Sequence, residues 1–318
     1  MLYDKPHLSF DKQLEKIEGR GLDIGNREQA KIFLETIGYY RLSGYWYGWR
    51  RAATDANGNV YREDAFMPGH AFADAVALYS FDRRLRLLLL DALERIEVAL
   101  RVRIAYVAGL AGPLAYLDRV NLGANADKHR TDAELSNYDE FIKRNDDLLD
   151  RSKEVFAEHV KTKYSSMAPI WIATELWDFG QLASYYAIMK PDDQRQVALA
   201  FGIPKKALLA NWIQCLNYVR NLCAHHSRLY RRILVIKPGQ KNMSLVEDLA
   251  HIRGINTDLA SRLYPVLCLM LFMMRTVAHG SNWPHALRRH IDNSPDGVDA
   301  SLEHYGFPAD WASEKLWS

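Results

Sequence analysis

Apolar positions in this chain recur mainly at three- and four-residue steps, which is the signature of helices that bury one face. The longest such run covers residues 71–110, where Ala75, Leu78, Phe81, Leu85, Leu88, Leu89, Ala92, Ile96, Leu100, Ile104 and Val107 follow the helical period. The pattern predicts one long helix there, interrupted if anywhere near Asp91. A second run over residues 208–223 places Leu209, Trp212, Ile213, Leu216, Val219 and Cys223 on one face. Ser9 is placed to cap a first helix ending about Glu18, and a second begins near Asn26. Further helices are expected over residues 133–150, 152–164, 180–189, 192–200, 258–277 and 284–292, with another opening at Pro169. Pro265 predicts a kink in the 258–277 helix.

Two stretches depart from this period. Residues 38–50 hold six aromatics, Tyr39, Tyr40, Tyr45, Trp46, Tyr47 and Trp49, among three glycines. Such rings can stack bases, but aromatics mostly serve burial, so a packed structural corner is the favoured reading. Next, Asp55-Ala56-Asn57-Gly58-Asn59 carries an Asn-Gly turn signal between residues 46–52 and 60–62, which predicts one small β-hairpin. Residues 112–132 are polar and poorly patterned, with at most short helices. No internal repeat or low-complexity linker divides the chain. The expected architecture is all-α in a single unit over 1–318: N-terminal helices and hairpin (1–70), a helical core (71–280) and a C-terminal extension (281–318).

Composition narrows the function classes. The 318 residues are 48% hydrophobic, enough for a large core, and 41 basic against 39 acidic residues leave a net charge of +2. This is no polycation, but the charge is unevenly spread. Residues 194–246 contain no Asp or Glu, while Arg195, Lys205, Lys206, Arg220, Arg228, Arg231, Arg232, Lys237 and Lys241 all fall within them. Cys215, Cys223 and Cys268 lie in apolar helical contexts without paired spacing, which predicts buried, reduced thiols and a cytoplasmic protein. The N-terminus lacks a signal-peptide pattern, and the apolar runs fall short of the ~20 residues that span a bilayer, so no membrane association is expected.

The chemistry concentrates where the second apolar helix turns polar, at Arg220-Asn221-Leu222-Cys223-Ala224-His225-His226-Ser227-Arg228. Adjacent histidines with no HExxH pattern or neighbouring carboxylate make a poor metal site. Kinase, serine-hydrolase and P-loop signatures are missing. An arginine that clamps phosphate beside an imidazole that moves protons is a minimal kit for cleaving RNA without a metal or other cofactor. The same residues equally suit a phosphate-backbone contact or a buried polar network. On an ideal helix Arg220 and His225 lie roughly 140° apart, so they converge only if the helix is distorted or if two copies meet.

The arrangement Arg220-x4-His225, with a polar residue after the arginine, resembles the R-x4-H motif of HEPN-superfamily ribonucleases. More specifically, the chain is similar to the Abi-like (AbiD/AbiF) abortive-infection family in an ordered series of blocks. These are Lys5-Pro6-His7-Leu8 with Gln13, Arg20-Gly21-Leu22, Ile37-Gly38-Tyr39-Tyr40-Arg41-Leu42-Ser43-Gly44-Tyr45-Trp46, Tyr79-Ser80-Phe81-Asp82-Arg83-Arg84-Leu85-Arg86, Glu94-Arg95-Ile96-Glu97, and Leu216-Asn217-Tyr218-Val219-Arg220-Asn221 with Cys223-Ala224-His225-His226. The resemblance implies a HEPN-type helical core and phage defence by RNA cleavage. It carries over Arg220, Asn221 and His225 as catalytic positions, with His226 catalytic or orienting. Arg228, Arg231, Arg232, Lys205 and Lys206 are the expected RNA contacts. A single motif implies a homodimer with a composite site, since the interval from Arg275 to His279 is one residue too short for a second. A regulatory small RNA or antitoxin is a further partner of the kind the family suggests. A noncatalytic RNA-binding or sensing module is the alternative.

Overall fold

The computed structural model describes residues 6–131, 134–296 and 301–317. The chain is mostly helical with one small hairpin, as the periodicity predicts. Helix α1 (Phe10–Glu18) starts where the Ser9 hydroxyl accepts from the Lys12 N–H, and α2 (Arg27–Thr36) where the Asn26 side-chain oxygen accepts from the Gln29 N–H. Helix α3 (Tyr39–Trp46) and a 3-10 turn (Tyr47–Trp49) form the aromatic corner. Tyr45, Trp46 and Trp49 are buried, whereas Tyr40 is 91% exposed. The antiparallel strands β1 (Arg50–Thr54) and β2 (Val60–Phe66) follow, with a register irregularity between Arg50 and Ala52. Strand β1 begins later than the alternation suggested, because residues 46–49 complete the helical corner instead, and β2 starts where expected but continues past Arg62 to Phe66.

The axis of the molecule is α4 (Phe72–Gly109), whose 38 residues make a helix about 57 Å long. It is unbroken at Asp91, which pairs on the surface with Arg95 one turn on. Around it lie α5 (Asn137–Arg151), α6 (Val155–Lys163), α7 (Ile170–Leu176), α8 (Phe179–Ile188), α9 (Pro191–Ala200) and α10 (Lys206–Ala224). Helix α5 begins four residues after the expected start, following a Ser136 cap; Ala133 lies outside the described residues. The expected 258–277 helix is two helices, α11 (Thr257–Ala260) and α12 (Tyr264–Val277). Pro265 falls in the first turn of α12, where its missing N–H is not needed, so it starts a helix rather than kinking one. Helix α13 (Trp283–Asp292) and short 3-10 turns complete the described chain.

Helix α4 packs against α3, α7, α8, α9, α10, α12 and α13. Its buried stripe of Leu85, Leu89, Ile96, Leu100 and Ile104 is continuous with Leu209, Trp212, Leu216 and Val219 of α10 and with most of α12. The three cysteines are free and buried, and burial pushes each thiol up to about 12. No helix among the described residues is long and apolar enough to cross a membrane.

Candidate functional site

Helix α10 ends inside the motif rather than running through it. Its last helical residue is Ala224, His225 is the cap, and His226 has a left-handed backbone with φ 55°. The His226 N–H donates to the Cys223 carbonyl (3.0 Å) and the Ser227 N–H to that of Leu222 (2.8 Å). These two bonds make the Schellman turn that closes many helices, in which the left-handed residue is usually glycine. Here a histidine occupies it. The stop was hidden from a sequence reading for that reason. His225 and His226 are consequently both exposed beyond a helix end, not on opposite sides of one.

A buried carboxylate holds the chain that follows. Asp82 of α4 is fully buried and accepts five hydrogen bonds: from Tyr45 (2.8 Å), Tyr305 (3.2 Å), the Leu229 N–H (3.1 Å), the Tyr230 N–H (3.0 Å) and Arg86 (2.5 Å). Burial pushes its carboxyl up, while the Arg86 guanidinium, the Tyr45 hydroxyl and the two backbone N–H groups pull it back down. Burial and the same carboxylate raise the Tyr45 and Tyr305 phenols well above their ordinary value, so both act as neutral donors. Arg86, itself 4% exposed, also donates to the Ser227 carbonyl (3.3 Å), and Arg41 of α3 donates to that of His226 (2.7 Å). Charged donors thus satisfy carbonyls just past the helix end, where the macrodipole is negative. The backbone on which the two histidines stand is fixed from beneath by α3, α4 and the C-terminal region.

On the helix itself, Arg220 points toward α4. Its Nε lies 3.9 Å from the Glu97 carboxylate, and its guanidinium donates to the Asn221 side-chain oxygen (3.3 Å). Asn221 in turn donates to Asn217 (3.4 Å), one turn back. Burial pushes the Glu97 carboxyl up, opposed by Arg220 and by Arg101, which pairs with it at 3.3 Å. Glu97 therefore supplies the acid that the 194–246 strip lacks in sequence.

The expected RNA contacts are spread differently from the linear strip. Lys205 and Lys206 sit at the start of α10, a helix of 19 residues, and so lie roughly 28 Å from its motif end. Lys206 donates to Gln194 (2.8 Å). Arg228 and Arg231 turn inward onto the aromatic corner. Arg228 donates to the Gly44 carbonyl and rests against the space a Gly44 Cβ would fill, and burial lowers its guanidinium. A Cβ on Gly48 would overlap the Arg231 guanidinium, which also reaches His304 (2.9 Å). Arg232 donates to the Arg228 carbonyl (2.6 Å) and is half-buried. The corner's glycines admit arginines rather than rings, a pairing no local pattern announces. Arg86, one of a run of charged residues along α4, does not lie on a solvated face: it is the buried salt-bridge partner of Asp82 one turn away.

Among the described residues no group of three or more His, Cys, Asp or Glu is placed to hold a metal ion. The model of the Abi-like protein family matches residues 32–231, more than half of the chain. The chain belongs to the Abi-like family. That membership points to abortive infection, the defence of bacteria against phage. No curated protein matches this Abi-like protein, and no solved structure does. The matched span opens in α2 and closes at Arg231, so it takes in the aromatic corner, α4 and the motif turn, while Tyr305 lies beyond it.

Proposed function

We propose that this Abi-like protein is a metal-independent endoribonuclease of phage defence, with a HEPN-type site assembled from the motifs of two protomers. Arg220 takes the scissile phosphate in place of Glu97 and stabilises the charge that develops on it. One His225 removes the proton from the ribose 2′-hydroxyl as the O2′–P bond forms. His225 of the partner subunit protonates the 5′-oxygen as the P–O5′ bond breaks. Asn221 orients the arginine. The observation that carries this reading is the motif turn itself: Arg220 and Asn221 lie just before the end of a helix, His225 stands exposed at its cap, and Asp82, Arg86 and Arg41 lock the backbone behind it. A rigid support under exposed proton-transfer groups is what catalysis by positioning requires.

The test is purified protein with end-labelled RNA in EDTA. Cleavage should persist and leave 2′,3′-cyclic phosphate ends. His225→Ala should lose on the order of a hundredfold or more in rate with RNA affinity retained, and His226→Ala should lose less. Light scattering should show a dimer at concentrations that cleave. The 3.9 Å approach of Glu97 to Arg220 favours a second reading, an RNA-binding module that does not cut, because the guanidinium already has a counter-ion. RNA binding without cleavage by the wild-type protein, or cleavage that both histidine variants retain at the wild-type rate and that therefore does not come from this site, selects it.

A further inference from the structure

A cleft of about 670 Å³ opens between α5, α8 and α10, on the α10 face that leads to the motif. Its volume falls in the range of small-molecule sites. Gln214 and Asn217 of α10 line it, and with Asn221 they recur at three- and four-residue steps along one face. Asn217 is also the residue to which Asn221 donates, so the cleft adjoins the motif; the two lie about 6 Å apart along the axis.

The walls are polar without being charged overall. Arg130 is paired with Glu140 at 3.4 Å, and Arg144 with Asp178 at 2.5 Å, so the cations there carry no net pull on a phosphate. What remains is side-chain amide. Gln181 of α8 is one of the lining residues and is fully buried. Its Nε2 donates to the Phe141 carbonyl at 2.9 Å, which fixes the orientation of the amide. Its Oε1 is then a buried acceptor with no hydrogen-bond partner among the described residues. Buried polar atoms are rarely left in that state, and a ligand N–H is the group that would satisfy it.

We propose that this cleft receives one unpaired base of the RNA strand, next to the phosphate taken by Arg220, and prefers a base that presents an exocyclic amino group. The assignment rests on the RNA reading above. Single-stranded RNA is read in this way, by splaying a base into a pocket and hydrogen-bonding its edge, and amides pair with bases through one donor and one acceptor. Phosphate and base thus go to different places: the charge to Arg220, the edge to Gln181, Gln214 and Asn217.

The experiment measures binding of labelled A8, C8 and U8 oligoribonucleotides to the full chain carrying His225→Ala, by fluorescence anisotropy. The A8 and C8 strands should bind on the order of tenfold tighter than U8, the discrimination usual for a paired amide. Gln181→Leu and Gln214→Ala, each added to that background, should shrink the difference; Gln214 is exposed, so its variant tests the cleft even if the buried change impairs folding. Equal affinities for the three strands, or a preference that survives in both folded variants, overturns the assignment while leaving the nuclease reading intact. No binding to any strand overturns both.

Discussion

Replacing Asp82 by asparagine tests whether one carboxylate fixes the motif turn. The side chain keeps its shape but exchanges one acceptor oxygen for a donor NH2 and loses its charge. If the NH2 takes the Oδ1 position, it faces the Tyr230 N–H and the Tyr305 hydroxyl; in the Oδ2 position it faces Leu229, Tyr45 and Arg86. Either way a backbone N–H is left without its acceptor, and Arg86 becomes a buried guanidinium without a counter-charge. Removing one partner of a buried ion pair costs roughly 3–5 kcal/mol, a large part of the about 5–15 kcal/mol that holds a folded protein together. At ~2–4 °C per kcal/mol for a chain of this size class, Tm should fall on the order of 10 °C. Hydrogen exchange should locate the damage, with protection lost first at the amides of Leu229 and Tyr230. Tyr305→Phe, which removes a single hydroxyl donor to the same carboxylate, should cost about 1.5–3 kcal/mol. An Asp82→Asn protein that melts within about 2 °C of wild type, or a Tyr305→Phe variant that is the more damaged of the two, refutes the argument.

His226 pays for its left-handed backbone, so His226→Gly should raise stability by about 1 kcal/mol in urea unfolding; a destabilised variant would mean that the imidazole makes up the difference. Burial raises the Glu97 carboxyl above its ordinary 4.5, so the stability it contributes is fully present below about pH 4.5 and is lost as pH rises through the raised value. The Tm of wild type relative to Glu97→Gln should therefore decline as pH rises from about 4.5 toward neutrality, and a difference that grows over that range contradicts the assignment. Gly306 has φ 92° and a Cβ there would stand 2.7 Å from the Leu259 carbonyl, whereas Gly58, with φ 82°, faces open space. Gly306→Ala should accordingly cost clearly more than Gly58→Ala in thermal unfolding, since only the first adds a backbone clash to the unfavourable φ; equal losses would place the strain elsewhere.

Periodicity and caps were enough to find α1, α2, α4 and α10, because Ser9, Asn26 and the apolar stripes act through neighbours a turn away. What holds the motif turn was not legible, and the reasons are particular. Asp82 sits among Arg83, Arg84 and Arg86, and a run of charges on a long helix reads as surface; only the packing of α3 and residues 227–230 shows that one of its faces is interior. Gly44 and Gly48 looked like spacers between rings, since nothing local reveals that Arg228 and Arg231 occupy the room they leave. The basic strip was real as a sequence feature, yet a 19-residue helix separates Lys205 and Lys206 from the motif. The end of α10 was missed because a histidine stands where the turn usually has glycine.

Asp82 and Tyr305 are 223 residues apart, and the loop they clasp lies between them. During synthesis the amino-terminal partner is therefore ready long before the last donor exists. At the usual ~5–20 residues per second, the interval is roughly 11–45 s. Throughout it α3 and α4 can pack and the motif helix can emerge, but the turn bearing His225 and His226 lacks its full set of holds. A nascent chain thus carries every residue of the motif before it carries the means to keep them in place, and the finished geometry belongs only to chains translated past residue 305.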